Sequence, residues 1–177
     1  MAEDRPARGI LVVPAAGDRR RGLLIAGGLH VPCALGRAGI THAKREGDGA
    51  TPAGRHALVA VFYRPDRLPR PATALPLSPI EPESGWCDDP ADRLYNRPVA
   101  LPCAASHERL WRDDRLYDIV VVLDFNLRNP KRGAGSAIFL HLAAPNLAPT
   151  AGCVAIGLQA MRRLLAQVGP RSFLEIG

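Results

Sequence analysis

Cys153 and His141 stand twelve residues apart, a thiol and an imidazole at a spacing that can support nucleophilic chemistry. A thiolate attacks carbonyls and an imidazole takes its proton, so such a pair suits acyl transfer through a thioester. Cys153 lies in Pro149-Thr150-Ala151-Gly152-Cys153-Val154-Ala155-Ile156, between a proline-marked loop and the start of an expected helical region. Backbone N–H groups at such a position lower a thiol from about 8.5 toward neutrality and supply donors for an oxyanion. Taken singly, each residue also has a plainer reading: the cysteine as a buried structural thiol, the histidine as a packed core side chain. The link between them is the turn-rich Ala143-Ala144-Pro145-Asn146-Leu147-Ala148-Pro149, which can return the thiol to the ring.

Two flanking patterns must position the pair. Residues 137–142 read as a strand that presents His141 at its end from a rigid element. Beyond Cys153, Leu158, Met161, Leu164, Leu165 and Val168 recur at helical spacing with Arg162 and Arg163 outward, and Gly169-Pro170 stops the helix. The strongest strand is residues 117–125, Tyr-Asp-Ile-Val-Val-Val-Leu-Asp-Phe, rich enough in β-branched residues to be buried on both faces. Upstream, residues 10–14 and 22–26 form an expected hairpin, residues 30–35 a third strand, residues 56–63 another, and residues 172–176 the last. Glycines and Pro52 make residues 36–54 a long ordered loop, and prolines make residues 64–82 a surface excursion. Residues 85–90 read as an acidic turn, and Ser106 to Arg112 as a short additional helix capped by Ser106.

Composition narrows the class. A chain of 177 residues suits one domain, residues 1–177, with the first eight expected to be flexible. The 17 glycines and 17 prolines are spread without a period, which favours many turns between short strands. No stretch approaches the roughly 18 apolar residues of a membrane span, so no transmembrane segment is expected. The net charge of +6 arises from arginines scattered among acids and prolines, with one dense run at Arg19, Arg20 and Arg21. That distribution argues against nucleic acid as a partner, and a basic surface also suits an anionic polymer. Cys33, Cys87, Cys103 and Cys153 contain no CxxC pair, so neither a zinc site nor a redox dithiol is indicated. Burial as small thiols and a Cys87–Cys103 disulfide both stay open.

Ser136-Ala137-Ile138-Phe139-Leu140-His141 followed by Pro149-Thr150-Ala151-Gly152-Cys153-Val154 resembles the L,D-transpeptidase catalytic domain, or YkuD domain, whose signature is a strand-end His, a loop, and Ser/Thr-His-Gly-Cys. Glu46 to Gly54 and Gly85-Trp86-Cys87-Asp88-Asp89-Pro90 to Tyr95-Asn96-Arg97 resemble the family too. The resemblance implies a mainly-β, sandwich-like fold and a cysteine acyltransferase acting on peptidoglycan stem peptides, with no cofactor and no metal; with water as acceptor the same pair makes an L,D-carboxypeptidase or amidase, and a non-catalytic domain that binds the cell wall through its arginines is the reading from another class. In that chemistry Cys153 attacks, His141 is the base, and Gly152 and Cys153 supply oxyanion donors. It also implies a cell-envelope location, although the N-terminus shows no secretory apolar run, and a monomer is expected.

Three positions depart from the family pattern: Ala151 replaces the histidine before Gly-Cys, Ala155 replaces an arginine after the Cys, and Leu142 follows the His. The first makes His141 the required base. The second leaves carboxylate recognition unassigned, for which Arg112 is a candidate by bidentate contact. Trp86, Ser136 and Thr150 are the other candidate substrate contacts, with Trp86 able to stack on a sugar face. Trp111 reads as a core or cleft-wall aromatic that could also stack on a sugar, His107 and Glu108 as a surface pair or a second acid/base set, and Asp124 as a strand-end carboxylate or a group that orients His141.

Overall fold

The structure, a computed structural model, describes residues 9–177; the flexible segment expected at residues 1–8 lies outside them. Among the described residues the chain runs β1 (Gly9–Ala15), β2 (Asp18–Ala26), β3 (Leu29–Ala34), β4 (Ile40–Thr41), β5 (Thr51–Pro52), β6 (Gly54–Tyr63) and β7 (Leu77–Pro79). It continues through β8 (Ser84–Cys87), β9 (Arg97–Ala100), β10 (His107–Arg109), β11 (Ile119–Leu123), β12 (Phe139–Leu142), β13 (Val154–Ile156), α1 (Leu158–Leu165) and β14 (Phe173–Ile176). The mainly-β class expected from the sequence is the class adopted.

Nine strands form one sheet in the order β11-β12-β13-β3-β2-β1-β14-β6-β7. A further antiparallel pairing of β11 with β6, Ile119 opposite Tyr63 through Leu123 opposite Leu58, closes that sheet on itself. The sandwich-like arrangement is therefore a closed sheet, which leaves few free edges. A separate three-stranded sheet, β10-β8-β9, covers one outer face.

The covered face explains β11. Ile119, Val121 and Leu123 point into the main core, whereas Val120 and Val122 join a second apolar cluster with Trp86, Tyr117, Phe139 and Cys153. Burying a side chain such as Phe139 stabilises the fold by about 1.5–3 kcal/mol, more than the roughly 1 kcal/mol net of a typical hydrogen bond. Burial on both faces thus fixes the wall from which the site is built.

Several segments differ from expectation. Residues 64–82 are not only a surface excursion, since Leu68 and Leu75 are buried in the main core and β7 pairs with β6, and the loop of residues 36–54 carries the paired β4 and β5. Residues 106–112 form no helix; β10 occupies part of that segment, with Glu108 opposite Trp86 and His107 opposite Cys87 on β8. The capping signal at Ser106 was weak because Arg109 stands where an acidic residue would complete the box, and pairing with β8 satisfies the backbone instead. The acidic turn expected at residues 85–90 is accordingly half strand, since β8 runs to Cys87. Helix α1 is shorter than its apolar period suggested, ending at Leu165, with Met161, Leu164 and Leu165 buried and Arg162 and Arg163 in its last turn, where cations are favourable.

Candidate active site

Alternation along β12 sends Leu140 and Leu142 into the main core and leaves Phe139 and His141 on the opposite face. Strand β13 lies parallel beside it, with Leu140 opposite Val154 and His141 opposite Ala155. Parallel neighbours need a connection of about a dozen residues or more, and the segment between His141 and Cys153 supplies it. Cys153, immediately before β13, thereby returns to the face that carries His141. It precedes a strand and not a helix, because α1 begins only at Leu158.

The thiol is held by neighbouring backbone. Its Sγ accepts a hydrogen bond from Phe139 N at 3.3 Å and donates to the Ala137 carbonyl at 3.2 Å. Ala137 adopts φ 51°, a left-handed conformation uncommon for a residue with a Cβ. Asn96 holds it there by accepting the Ala137 N–H at 3.0 Å, while the same Oδ1 accepts Trp86 Nε1 at 2.9 Å. The Asn96 Nδ2 donates to the carbonyls of Phe125 and Asn126 at 3.2 and 2.8 Å, so the amide is fully engaged.

The turn before Cys153 is equally constrained. Gly152 has φ 146°, and a Cβ there would stand 2.8 Å from the Ala50 carbonyl oxygen. Its N–H donates to Thr150 Oγ1 at 3.1 Å, and that hydroxyl donates to the Cys153 carbonyl at 2.6 Å. Thr150 therefore shapes the turn, and the Gly152 N–H expected as an oxyanion donor is occupied. The ordered loop of residues 36–54 supports the turn from below: Gly36 bridges to Thr150, and its N–H donates to the buried Thr51 hydroxyl at 2.8 Å.

Burial governs both titrating groups. It pushes the Cys153 thiol up to about 12, with the Glu108 carboxylate adding to the rise. The depressed thiol expected from the sequence is thus corrected: one N–H donor from β12 does not offset removal from water. Burial also brings His141 down to about 4, against the opposing pull of the Leu142 carbonyl. That carbonyl lies 2.9 Å from Nδ1, which places the ring hydrogen on Nδ1 and leaves Nε2 as the basic atom. Leu142 thus serves as the orienting backbone group, and Asp124 does not, because its Oδ1 accepts from Ala57 N at 2.7 Å in the β11–β6 region. The His141 ring packs edge-on against Tyr117, with centroids 5.1 Å apart.

Cys153 and His141 line one cavity of about 410 Å³, together with Lys44, Glu108, Arg112 and Tyr117. Of the sequence candidates, Gly152, Ser136 and Thr150 also line it, Ser136 through a hydroxyl that donates to Glu46 Oε2 at 2.8 Å. Arg112 reaches it with its guanidinium paired to Asp114 at 2.6 Å. Trp86 does not: it is buried against Phe139 with centroids 5.1 Å apart, so neither ring face is open to a sugar. Trp111 is stacked under Arg64, whose guanidinium carbon is 3.6 Å from its centroid.

Glu108 is a residue that sequence reasoning placed wrongly. It faces the cavity and accepts the Tyr117 hydroxyl at 2.7 Å, whereas His107 bonds the Ala105 carbonyl at 2.7 Å with Cys103 Sγ 3.3 Å away. The two are adjacent on a strand and point to opposite sides. Glu46, Asp88 and Lys44 were likewise unrecognised as lining residues, although Glu46 and Asp88 fall within segments that carry the resemblance. All four cysteines are free, so no Cys87–Cys103 disulfide forms.

No helix among the described residues is long and apolar enough to cross a membrane. No curated protein and no solved structure gives a significant match. The family model of the L,D-transpeptidase catalytic domain, YkuD, matches residues 9–176. That match spans both halves of the motif and every strand around the cavity, and the chain accordingly belongs to the YkuD family of L,D-transpeptidase catalytic domains, whose members act on peptidoglycan.

Proposed function

We propose that this chain is a cysteine acyltransferase acting on peptidoglycan stem peptides, with Cys153 as nucleophile and His141 as its base. The observation that carries this reading is the convergence on one cavity of His141, from β12, and Cys153, from the turn that enters the parallel neighbour β13. Burial keeps both groups uncharged at rest, so the thiol proton moves to Nε2 as sulfur attacks, and no thiolate forms in advance.

Sulfur bonds to the amide carbonyl after the third residue of a stem tetrapeptide. The C–N bond then breaks, and the proton on His141 passes to the departing D-alanine amine. A thioester to Cys153 is left. An amine from a second stem attacks it, the C–S bond breaks, and the amine proton returns through His141 to sulfur. The product is a 3→3 cross-link. With Gly152 N–H committed to Thr150, the Cys153 N–H is the oxyanion donor this reading assigns. Arg112, Ser136 and Thr150 line the peptide-binding cavity.

Intact-protein mass spectrometry after incubation with a carbapenem tests the reading, since that β-lactam acylates such a thiol to a stable thioester. A single adduct is expected, absent in Cys153→Ala and strongly slowed in His141→Ala. An unmodified wild-type protein would sink the assignment. A donor tetrapeptide with and without added amine then identifies the acceptor: a condensed product marks transpeptidation, and free tripeptide alone marks hydrolysis.

A further inference from the structure

Part of the wall of the Cys153 cavity is acidic, although the chain as a whole carries a net charge of +6. Glu46, Asp88 and Glu108 all line it. The two cations at its edge are already committed: Lys44 is paired with Asp48, and Arg112 is held by Asp114 through both guanidinium Nε and Nη2. Glu108 is tied to the protein by a single neutral donor, the Tyr117 hydroxyl on Oε2. One oxygen of Asp88, Oδ1, is enclosed with no hydrogen-bond partner at all. Buried carboxylates in such surroundings are costly unless a cation or further donors satisfy them. Burial raises Glu108 above the usual carboxylate range against the Tyr117 hydrogen bond and the Arg112 charge, which lower it, while Asp88 and Glu46 add to the rise.

We propose that the Glu108 carboxylate, held by the Tyr117 hydroxyl in the Cys153 cavity, is the binding site for a primary ammonium group of the substrate. An organic cation fits better than a metal ion, because among the described residues no three of His, Cys, Asp or Glu converge as a metal site. An ammonium group presents three donors and a full charge, which matches carboxylate oxygens that the protein leaves short of donors. Identifying its bearer as an amine-containing peptide rests on the acyl-transfer reading; the charge argument does not. The ammonium group belongs either to the acyl donor or to the amine acceptor.

The test titrates the whole chain with Nα-acetyl-lysine amide, which bears a primary ammonium, and with Nα-acetyl-norleucine amide, its uncharged analogue, and follows NMR chemical shifts. The cationic probe is expected to bind about tenfold or more tightly than the neutral one, as a charge-assisted hydrogen bond predicts, and the preference is expected to vanish in Glu108→Gln. Equal affinity in the wild type overturns the proposal, as does a preference that survives in Glu108→Gln. In turnover, a Glu108→Gln increase in KM confined to the donor places the ammonium on the donor, and one confined to the amine places it on the acceptor. Failure of Cys153 to be acylated would remove the acyl-transfer reading while leaving the lysine-to-norleucine ratio to decide Glu108.

Discussion

In the proposed reading Cys153 and His141 act as an uncharged pair, and pH tests this. A histidine at its ordinary 6.5 loses its basic form below neutrality, but burial keeps His141 unprotonated down to about 4. Acylation of Cys153 is therefore expected to stay level from pH 7 to about 5 and to fall only through about 4. Initial adduct-formation rates across that range check it, and an acid limb near 6.5 would contradict it. The same shift links to stability. The unfolded chain binds the proton at 6.5 and the folded one only near 4, so stability present above about 6.5 is lost as pH falls between these values. The loss is on the order of 3 kcal/mol. Legibility at this scale was mixed. That Cys153 and His141 were worth pairing follows from their spacing and motif, and both line one cavity, but the direction of the thiol's shift does not follow, because burial is not written locally. Glu108 was hidden for a similar reason: which way a strand residue points depends on its pairing partner.

At the scale of elements, the turn from Thr150 to Cys153 concentrates the constraint. Gly152 combines φ 146° with a carbonyl oxygen 2.8 Å from where a Cβ would stand. Strain of this kind costs about 1–3 kcal/mol, and relieving the contact would push the Cys153 turn away from the loop beneath it. Gly152→Ala is expected to lower the urea midpoint and to slow carbapenem acylation sharply. A variant with wild-type stability and acylation would show that the turn tolerates displacement. Strand β11 is evident in sequence from its β-branched residues and β6 from the alternation of residues 56–63. Strand β10 is not, since residues 107–109 find their conformation only through β8.

Across the whole molecule, the net charge of +6 and the acidic cavity wall serve different ranges. Exposed arginines such as Arg19 and Arg20 attract an anionic polymer over distances that salt screens within about 10 Å at 0.1 M. The enclosed cavity is far less screened. Retention on cell-wall sacculi is expected to fall as sodium chloride is raised, while acylation of Cys153 by a small donor stays within about twofold. Parallel pull-down and mass measurements at two salt concentrations check this. Equal loss of both would mean that charge acts on the site itself.

The sequence by itself determined the β-rich class, the strand buried on both faces and the helix after the cysteine, and singled out Cys153 and His141 as candidates, because each is a pattern of neighbours along the chain. Only the tertiary structure decided that β6 and β11 close the sheet, that Leu142 orients His141, that Asn96 fixes Ala137 against the thiol, and that Glu108 enters the cavity while Trp86 does not. Most of those outcomes join residues far apart in the chain, and even for the adjacent Leu142 only the folded backbone turns its carbonyl to His141 Nδ1. They are set by which surfaces bury against one another, and a free-energy balance over the whole fold chooses among pairings that a local sequence leaves equally open.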